Sequence, residues 1–214
     1  MTNSPTFLLP PSPFYLVRHG QSVSNSIERT AGGGVDTPLT EAGRAQAQTL
    51  ACVLHHLPLR PSKIYHSHMI RARDTAHIVN QDFGLPIMGH PDIHEHMLGD
   101  WENIPWEDHH RYMASGLEPP NGETQAQFSQ RVAKAFTPIL EMPHDTPPMI
   151  VAHGGVFRAF GLIYGVGIQG IGNCELRLFS PVPERARFPW DMHKLSIDVE
   201  KGTAVLEEIQ PSFV

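Results

Sequence analysis

The sequence predicts an α/β fold in three αβα layers, with a mostly parallel sheet that is finished by an antiparallel edge. Three observations point there. Short apolar runs alternate with stretches whose apolar residues recur every three or four positions, the pattern of strand followed by helix. Two runs, Phe14-Tyr15-Leu16-Val17 and Met149-Ile150-Val151-Ala152, are apolar throughout, as strands covered on both faces are. The tail offers strand candidates at 175–179, 195–199 and 204–209 with no helix between them, which supplies the antiparallel edge.

Taken in order, the first run is a buried strand that passes into a loop at Arg18-His19-Gly20. After Asp36-Thr37-Pro38, Thr40 caps a helix whose core stripe is Ala42, Ala45, Thr49, Val53 and Leu57. Ile64-Tyr65 is a second strand, followed by a helix with Ala72, Ala76, Val79 and Phe83 on one face. A third strand ends near Ile93-His94-Glu95-His96. The segment 96–122 has Trp, Pro and acidic residues with weak periodicity, and reads as a loop-rich insertion over the site. Phe128, Val132, Ala135, Phe136 and Ile139 mark a third helix, with Pro138 as a point for a kink. The strand at 149–152 ends at His153-Gly154-Gly155, and a helix through Phe157, Phe160 and Ile163 follows. No repeat, low-complexity tract or linker interrupts this order, so residues 1–214 are expected to form one domain.

The formal net charge of -6 attracts neither nucleic acid nor anionic lipid, so any site for an anion must be locally basic. At the N-terminus Phe7, Leu8 and Leu9 are followed by Pro10, Pro11 and Pro13, with no Lys or Arg before them, unlike a secretory signal. The apolar stretch 149–171 contains His153 and Arg158 and is no membrane span. A cytoplasmic protein is expected, with Cys52 and Cys174 as buried reduced thiols. Fourteen histidines invite a metal, but none of them makes the His-Glu-x-x-His spacing that sets two ligands on one helix face. No metal or cofactor is expected.

Ligands of such sheets bind beyond the carboxyl ends of the strands. Two strands end alike there, in His19-Gly20 and in His153-Gly154-Gly155, so both histidines emerge on one edge. A glycine after each lets backbone approach a ligand closely, and the second histidine precedes a helix start that favours an anion. Arg18 adjoins the first histidine, and Arg71 opens the helix after Ile64-Tyr65. Guanidinium forks match phosphate bidentately. Taken singly, each histidine is an ordinary buried one and Arg71 an ordinary surface residue; their common placement makes a phosphate pocket. Imidazole is a nucleophile near neutral pH, and a leaving alkoxide needs a proton. Glu95 is the first candidate to give it, with Asp100 and Glu102 as rivals.

In this order the segments resemble the histidine phosphatase superfamily, the branch of cofactor-dependent phosphoglycerate mutases and broad-specificity phosphatases. Leu16-Val17-Arg18-His19-Gly20-Gln21-Ser22 with Asn25 resembles its signature, and Asp36-Thr37-Pro38-Leu39-Thr40-Glu41-Ala42-Gly43 its next block. Ser67 with Arg71-Ala72 and Thr75, Glu95 with Gly99-Asp100-Trp101-Glu102, Pro120-Asn121-Gly122-Glu123-Thr124 and Val151-Ala152-His153-Gly154-Gly155 continue the likeness. The resemblance implies a phosphoglycerate mutase-like fold and a phosphohistidine at His19. It implies a phosphate held by Arg18, Asn25, Arg71, His153 and Gly154, Glu95 as acid–base, and no metal. Two departures stand out: Ser24 replaces a Trp common before the signature Asn, which implies a smaller wall at the pocket mouth, and Ala31-Gly32-Gly33-Gly34 replaces a bulkier segment, which implies a mobile loop. With the long mutase insertion also missing, the expectation is a metal-independent hydrolase of a small phosphate ester. The alternatives are a phosphoglycerate mutase or a non-catalytic phospho-ligand-binding module of the same fold.

Overall fold

The computed structural model describes residues 8–168, 170–198 and 200–213, so Phe7 and the last position of the expected strand 195–199 lie outside the described residues. Strand β1 (Phe14–Arg18) is the centre of a seven-stranded sheet. A short α1 (Val23–Ser26) follows, then α2 (Glu41–Val53), β2 (Ile64–Ser67), α3 (Ile70–Asn80) and β3 (Ile87–His90). After α4 (Trp106–Ala114) and α5 (Gln125–Glu141) come β4 (Met149–Ala152) and α6 (Gly154–Tyr164). The chain closes with β5 (Val166–Gly167), β6 (Leu176–Pro181), β7 (Trp190–Asp198), β8 (Thr203–Ile209) and β9 (Ser212–Phe213), where β5 and β9 form a separate antiparallel pair.

The strand order is β3-β2-β4-β1-β6-β7-β8. β3, β2, β4 and β1 are mutually parallel, and β6, β7 and β8 continue the sheet antiparallel. Alternation along β1 explains the layers. Phe14 and Leu16 pack with Phe128, Phe136, Phe157 and Phe160 of α5 and α6 on one face. Tyr15 and Val17 pack with Ala47, Leu50, Ala76 and Val79 of α2 and α3 on the other. Such strands are wholly apolar because both faces are covered.

Local signals set the helix ends. The Thr40 hydroxyl accepts the Gly43 N–H at 3.0 Å and starts α2. Thr124 and Gln127 form a capping box that starts α5, which runs through Pro138. Gly165, at φ +62°, ends α6 in the left-handed conformation that glycine adopts without strain.

Three expectations change. The buried stripe of α2 is Gly43, Ala47, Leu50 and Val53, while Ala42 and Ala45 are exposed. Gly43 sets this phase, because its bare Cα lies against the Gln21 backbone, where a Cβ would clash. Cys52 is consequently exposed on the outer face, and only Cys174 is buried. The 96–122 segment is less loop-rich than its weak periodicity implies, since it holds the nine-residue α4 and a 3₁₀ turn at Gly99–Trp101. No helix among the described residues is long and apolar enough to cross a membrane.

Candidate active site

The register of β1 against β4 builds the centre of the site. Arg18 stands opposite Ala152 in the parallel pair, so the next residue of each strand, His19 and His153, leaves the sheet at the same edge. Their ring centroids lie 5.1 Å apart. The His19 backbone N–H donates to Ala152 O at 3.0 Å and fixes the backbone there. On the ring, Nδ1 lies 2.7 Å from Gly20 O. A carbonyl only accepts, so Nδ1 carries the proton and Nε2 keeps a free lone pair. Burial holds the ring's pKa well below 6.5, with the Arg71 and Arg18 charges adding to the effect, so the imidazole stays neutral. His153 is fully buried with no hydrogen-bond partner at either ring nitrogen among the described residues, and burial, Arg71 and His19 depress its pKa in the same direction.

Two arginines face this pair. Arg18 Nη1 donates to Ile171 O at 2.6 Å, and its Nε is buried without a partner among the described residues. Arg71, 1% exposed, donates to Val35 O at 3.1 Å and Gly32 O at 2.9 Å, with Asp36 at 3.6 Å. These bonds tie down the glycine segment, as do Gly33 N–H to His96 O at 2.8 Å and Gly34 N–H to Glu102 Oε1 at 2.8 Å. The expected mobile loop is therefore a laced one. Its glycines answer to crowding: a Cβ on Gly33 would lie 2.6 Å from Glu95 O. Ser24 departs from expectation too. It is buried, its hydroxyl lies 3.1 Å from Thr37 Oγ1, and it forms no part of the cavity wall.

Glu95 lines the same cavity as Arg71. Its carboxylate accepts His96 N–H at 2.9 Å and Gly155 N–H at 3.0 Å. Burial raises its proton affinity, but the two N–H donors, Arg158 and Arg71 outweigh that and hold the group below the usual carboxylate range. Its rivals serve elsewhere. Asp100 accepts from Asn121 at 3.0 Å, Glu102 holds Gly34, and neither lines the cavity.

A cavity of about 580 Å³ brings together Arg18, His19, Asn25, Arg71, Glu95 and Gly154, with His153 packed behind His19. Sequence reasoning missed Arg29, His109, His110 and Arg158, which line it as well, beside Trp106. Arg158 had a signal: it falls four residues after Gly154, on the same face of α6. Trp106, His109 and His110 share a face of α4, which could not be seen while the segment read as loop. Trp101 is buried and its ring lies 5.1 Å from that of Tyr112. Of the other histidines, His96 stacks on Phe128 at 4.6 Å, and the His68 and His94 rings lie 5.7 Å apart. Among the described residues no group of three or more His, Cys, Asp or Glu converges as a metal site.

Residues 14–179 match the family described as histidine phosphatase superfamily (branch 1). The chain is similar to the adenosylcobalamin/alpha-ribazole phosphatase of Escherichia coli (strain K12), at 34% identity over 152 residues, 66% of this chain and 73% of the relative. It is also similar to the probable phosphoglycerate mutase GpmB of Yersinia pestis (strain Pestoides F), at 32% identity over 208 residues, 90% of this chain and 94% of the relative. Among solved structures, a mycobacterial glucosyl-3-phosphoglycerate phosphatase in complex with VO3 superposes with a TM-score of 0.64 at 25% identity, covering 94% of this chain and 99% of that one.

Proposed function

This chain belongs to the histidine phosphatase superfamily, and we propose that it hydrolyses a small phosphorylated metabolite through a phosphohistidine at His19. The observation that carries this reading is the protonation of the His19 ring: Nδ1–H is held by Gly20 O at 2.7 Å, and Nε2 is unprotonated beside the cavity.

In the first step the substrate's phosphoryl group lies against Arg18, Arg71, Asn25 and the Gly154 backbone, with His153 backing the His19 ring. His19 Nε2 forms a bond to phosphorus as the bond to the ester oxygen breaks. The ring becomes a cation, and Gly20 O, already accepting Nδ1–H, stabilises it. The departing oxygen takes a proton from the Glu95 carboxyl group. Without substrate Glu95 is a carboxylate, and it takes up a proton from solvent as the substrate binds, because a phosphate dianion raises the proton affinity of a carboxylate at its side. In the second step Glu95 takes a proton from water, the oxygen attacks phosphorus, and His19 Nε2 is released. Charge on the transferring group is the main demand of such chemistry. Four guanidinium groups line the cavity, those of Arg18, Arg29, Arg71 and Arg158, and they supply that charge without a metal in this reading.

Two relatives named as phosphatases favour hydrolysis. So does a cavity of about 580 Å³, within the range of sites for drug-sized ligands and wider than a three-carbon acid fills. Ser24 and the glycine loop no longer bear on the choice. Phosphoryl exchange is the second reading, because the likeness to a probable phosphoglycerate mutase covers 90% of the chain. Release of inorganic phosphate from a panel of phosphorylated sugars, glycerates and nucleosides tests the proposal. Turnover by the wild type and none by His19→Ala supports it; equal turnover by both sinks it.

A further inference from the structure

The segment 171–175, between β5 and β6, touches three residues of the phosphate pocket although most of it lies outside the cavity wall. Ile171 O accepts from Arg18 Nη1 at 2.6 Å. Cys174 N–H donates to His19 O at 3.3 Å. Asn173 Nδ2 donates to His19 O at 3.0 Å and to Asn25 Oδ1 at 3.2 Å. The segment is itself anchored: Glu175 Oε2 accepts Gly172 N–H at 2.9 Å, and the buried Glu175 carboxylate pairs with Arg177 at 2.7 Å.

These contacts fix the orientation of two amides by chemistry alone. His19 O can only accept, so the Asn173 atom facing it is the nitrogen. Ser22 N–H can only donate, and it lies 3.1 Å from Asn25, so the Asn25 atom facing it is Oδ1. The second Asn173 proton then meets the same Oδ1. With Oδ1 occupied by two donors, Asn25 presents its Nδ2 donors, and Asn25 lines the cavity. Were Asn173 to lose its NH2 group, Asn25 would keep only the Ser22 bond. One bond in place of two would then hold its oxygen, so the amide would turn a repulsive lone pair toward a phosphate more often.

We infer that Asn173 is a positioning residue: it acts through Asn25, holding that amide with its NH2 group toward the phosphate. The inference rests on Asn25 being a phosphate ligand, as proposed above. A hydrogen bond to a charged group is worth about tenfold or more in affinity.

The experiment is a double-substitution cycle read by calorimetric binding of orthovanadate, a phosphate analogue, with folding checked by thermal denaturation. Asn173→Ala should weaken vanadate about tenfold in the wild-type background. In an Asn25→Ala background the same change should alter the affinity less than about twofold, because the residue acted upon is gone. Equal weakening in both backgrounds, or none in the wild type, overturns the inference. If Asn173→Ala fails to fold, Asn173→Asp decides the matter: it keeps the shape, lacks the donors, and should weaken vanadate beyond about tenfold. Unchanged affinity in that variant overturns the inference. A wild type that binds vanadate but hydrolyses no phosphomonoester contradicts the catalytic reading and leaves this cycle intact as a test of the pocket.

Discussion

The Glu95 carboxylate sits where a side chain on residue 155 would have to be. Its Oε2 accepts Gly155 N–H at 3.0 Å, and a Cβ on Gly155 would overlap the carboxylate. The bare glycine after Gly154 thus lets the acid reach the first turn of α6, while the N–H it meets lowers the acid's proton affinity. Glycine here is a requirement of the acid's position.

Gly155→Ala should therefore act like a mild loss of Glu95. Positioned general acids contribute about 10²–10⁴-fold in rate. A p-nitrophenolate leaves with little help, whereas an alkoxide does not. Both Gly155→Ala and Glu95→Gln should cut kcat on alkyl phosphates far more than kcat on p-nitrophenyl phosphate. Equal losses on the two substrates would assign both residues to binding or folding.

Acid should destabilise the fold from about pH 6.5 downward. His19, His66, His96, His109 and His153 are buried, and burial is the first cause holding each below its ordinary value, His109 at about 4. As pH falls through about 6.5 the unfolded chain binds protons that these folded histidines refuse, so stability falls with pH. Each contributes at most about 1.4 kcal/mol per pH unit within that window. Urea unfolding at pH 7.5 and pH 5.5 measures it. A drop of several kcal/mol at pH 5.5 is expected, and equal stability at the two would contradict the burial argument.

Chelation should leave the rate of phosphate release essentially unchanged, and vanadate should inhibit competitively. The reason is the cavity's own charge: Arg18, Arg29, Arg71 and Arg158 against Glu95. Activity lost to a chelator and restored by one divalent ion would overturn the metal-independent reading.

The choice between hydrolysis and exchange is open to direct product analysis. With 3-phosphoglycerate, with and without 2,3-bisphosphoglycerate, we expect no useful formation of 2-phosphoglycerate. Fast isomerisation with little inorganic phosphate would make the protein a mutase and leave the role of His19 unchanged.

Much of this site was legible in the sequence because strands are simple readers of position. An apolar run covered on both faces has one end that meets ligand, and both β1 and β4 announce that end with a histidine and a glycine. Long-range geometry was legible only where it passed through such a strand. The bond from Arg71 to Gly32 O, which converts a glycine run from slack to tight, joins residues far apart in sequence and leaves no local pattern. Ser24 was misjudged for a related reason: its direction is set by Thr37, across a loop. The phase of α2 was missed because its most buried early residue, Gly43, carries no hydrophobic signal. Asn173 lies in a polar loop, and only its contacts with His19 and Asn25 give it meaning.

The most direct measurement is the state of His19 during turnover. Wild-type protein mixed rapidly with labelled substrate and quenched without acid should carry a covalent phosphoryl group that is stable to base and labile to acid. Tandem mass spectrometry of the peptide spanning β1 should place it on His19, and 31P NMR should assign it to Nε2, since Nδ1 is held by Gly20 O. His19→Ala should carry none and release no phosphate. An adduct on another residue, or full activity in His19→Ala, would contradict the phosphohistidine mechanism.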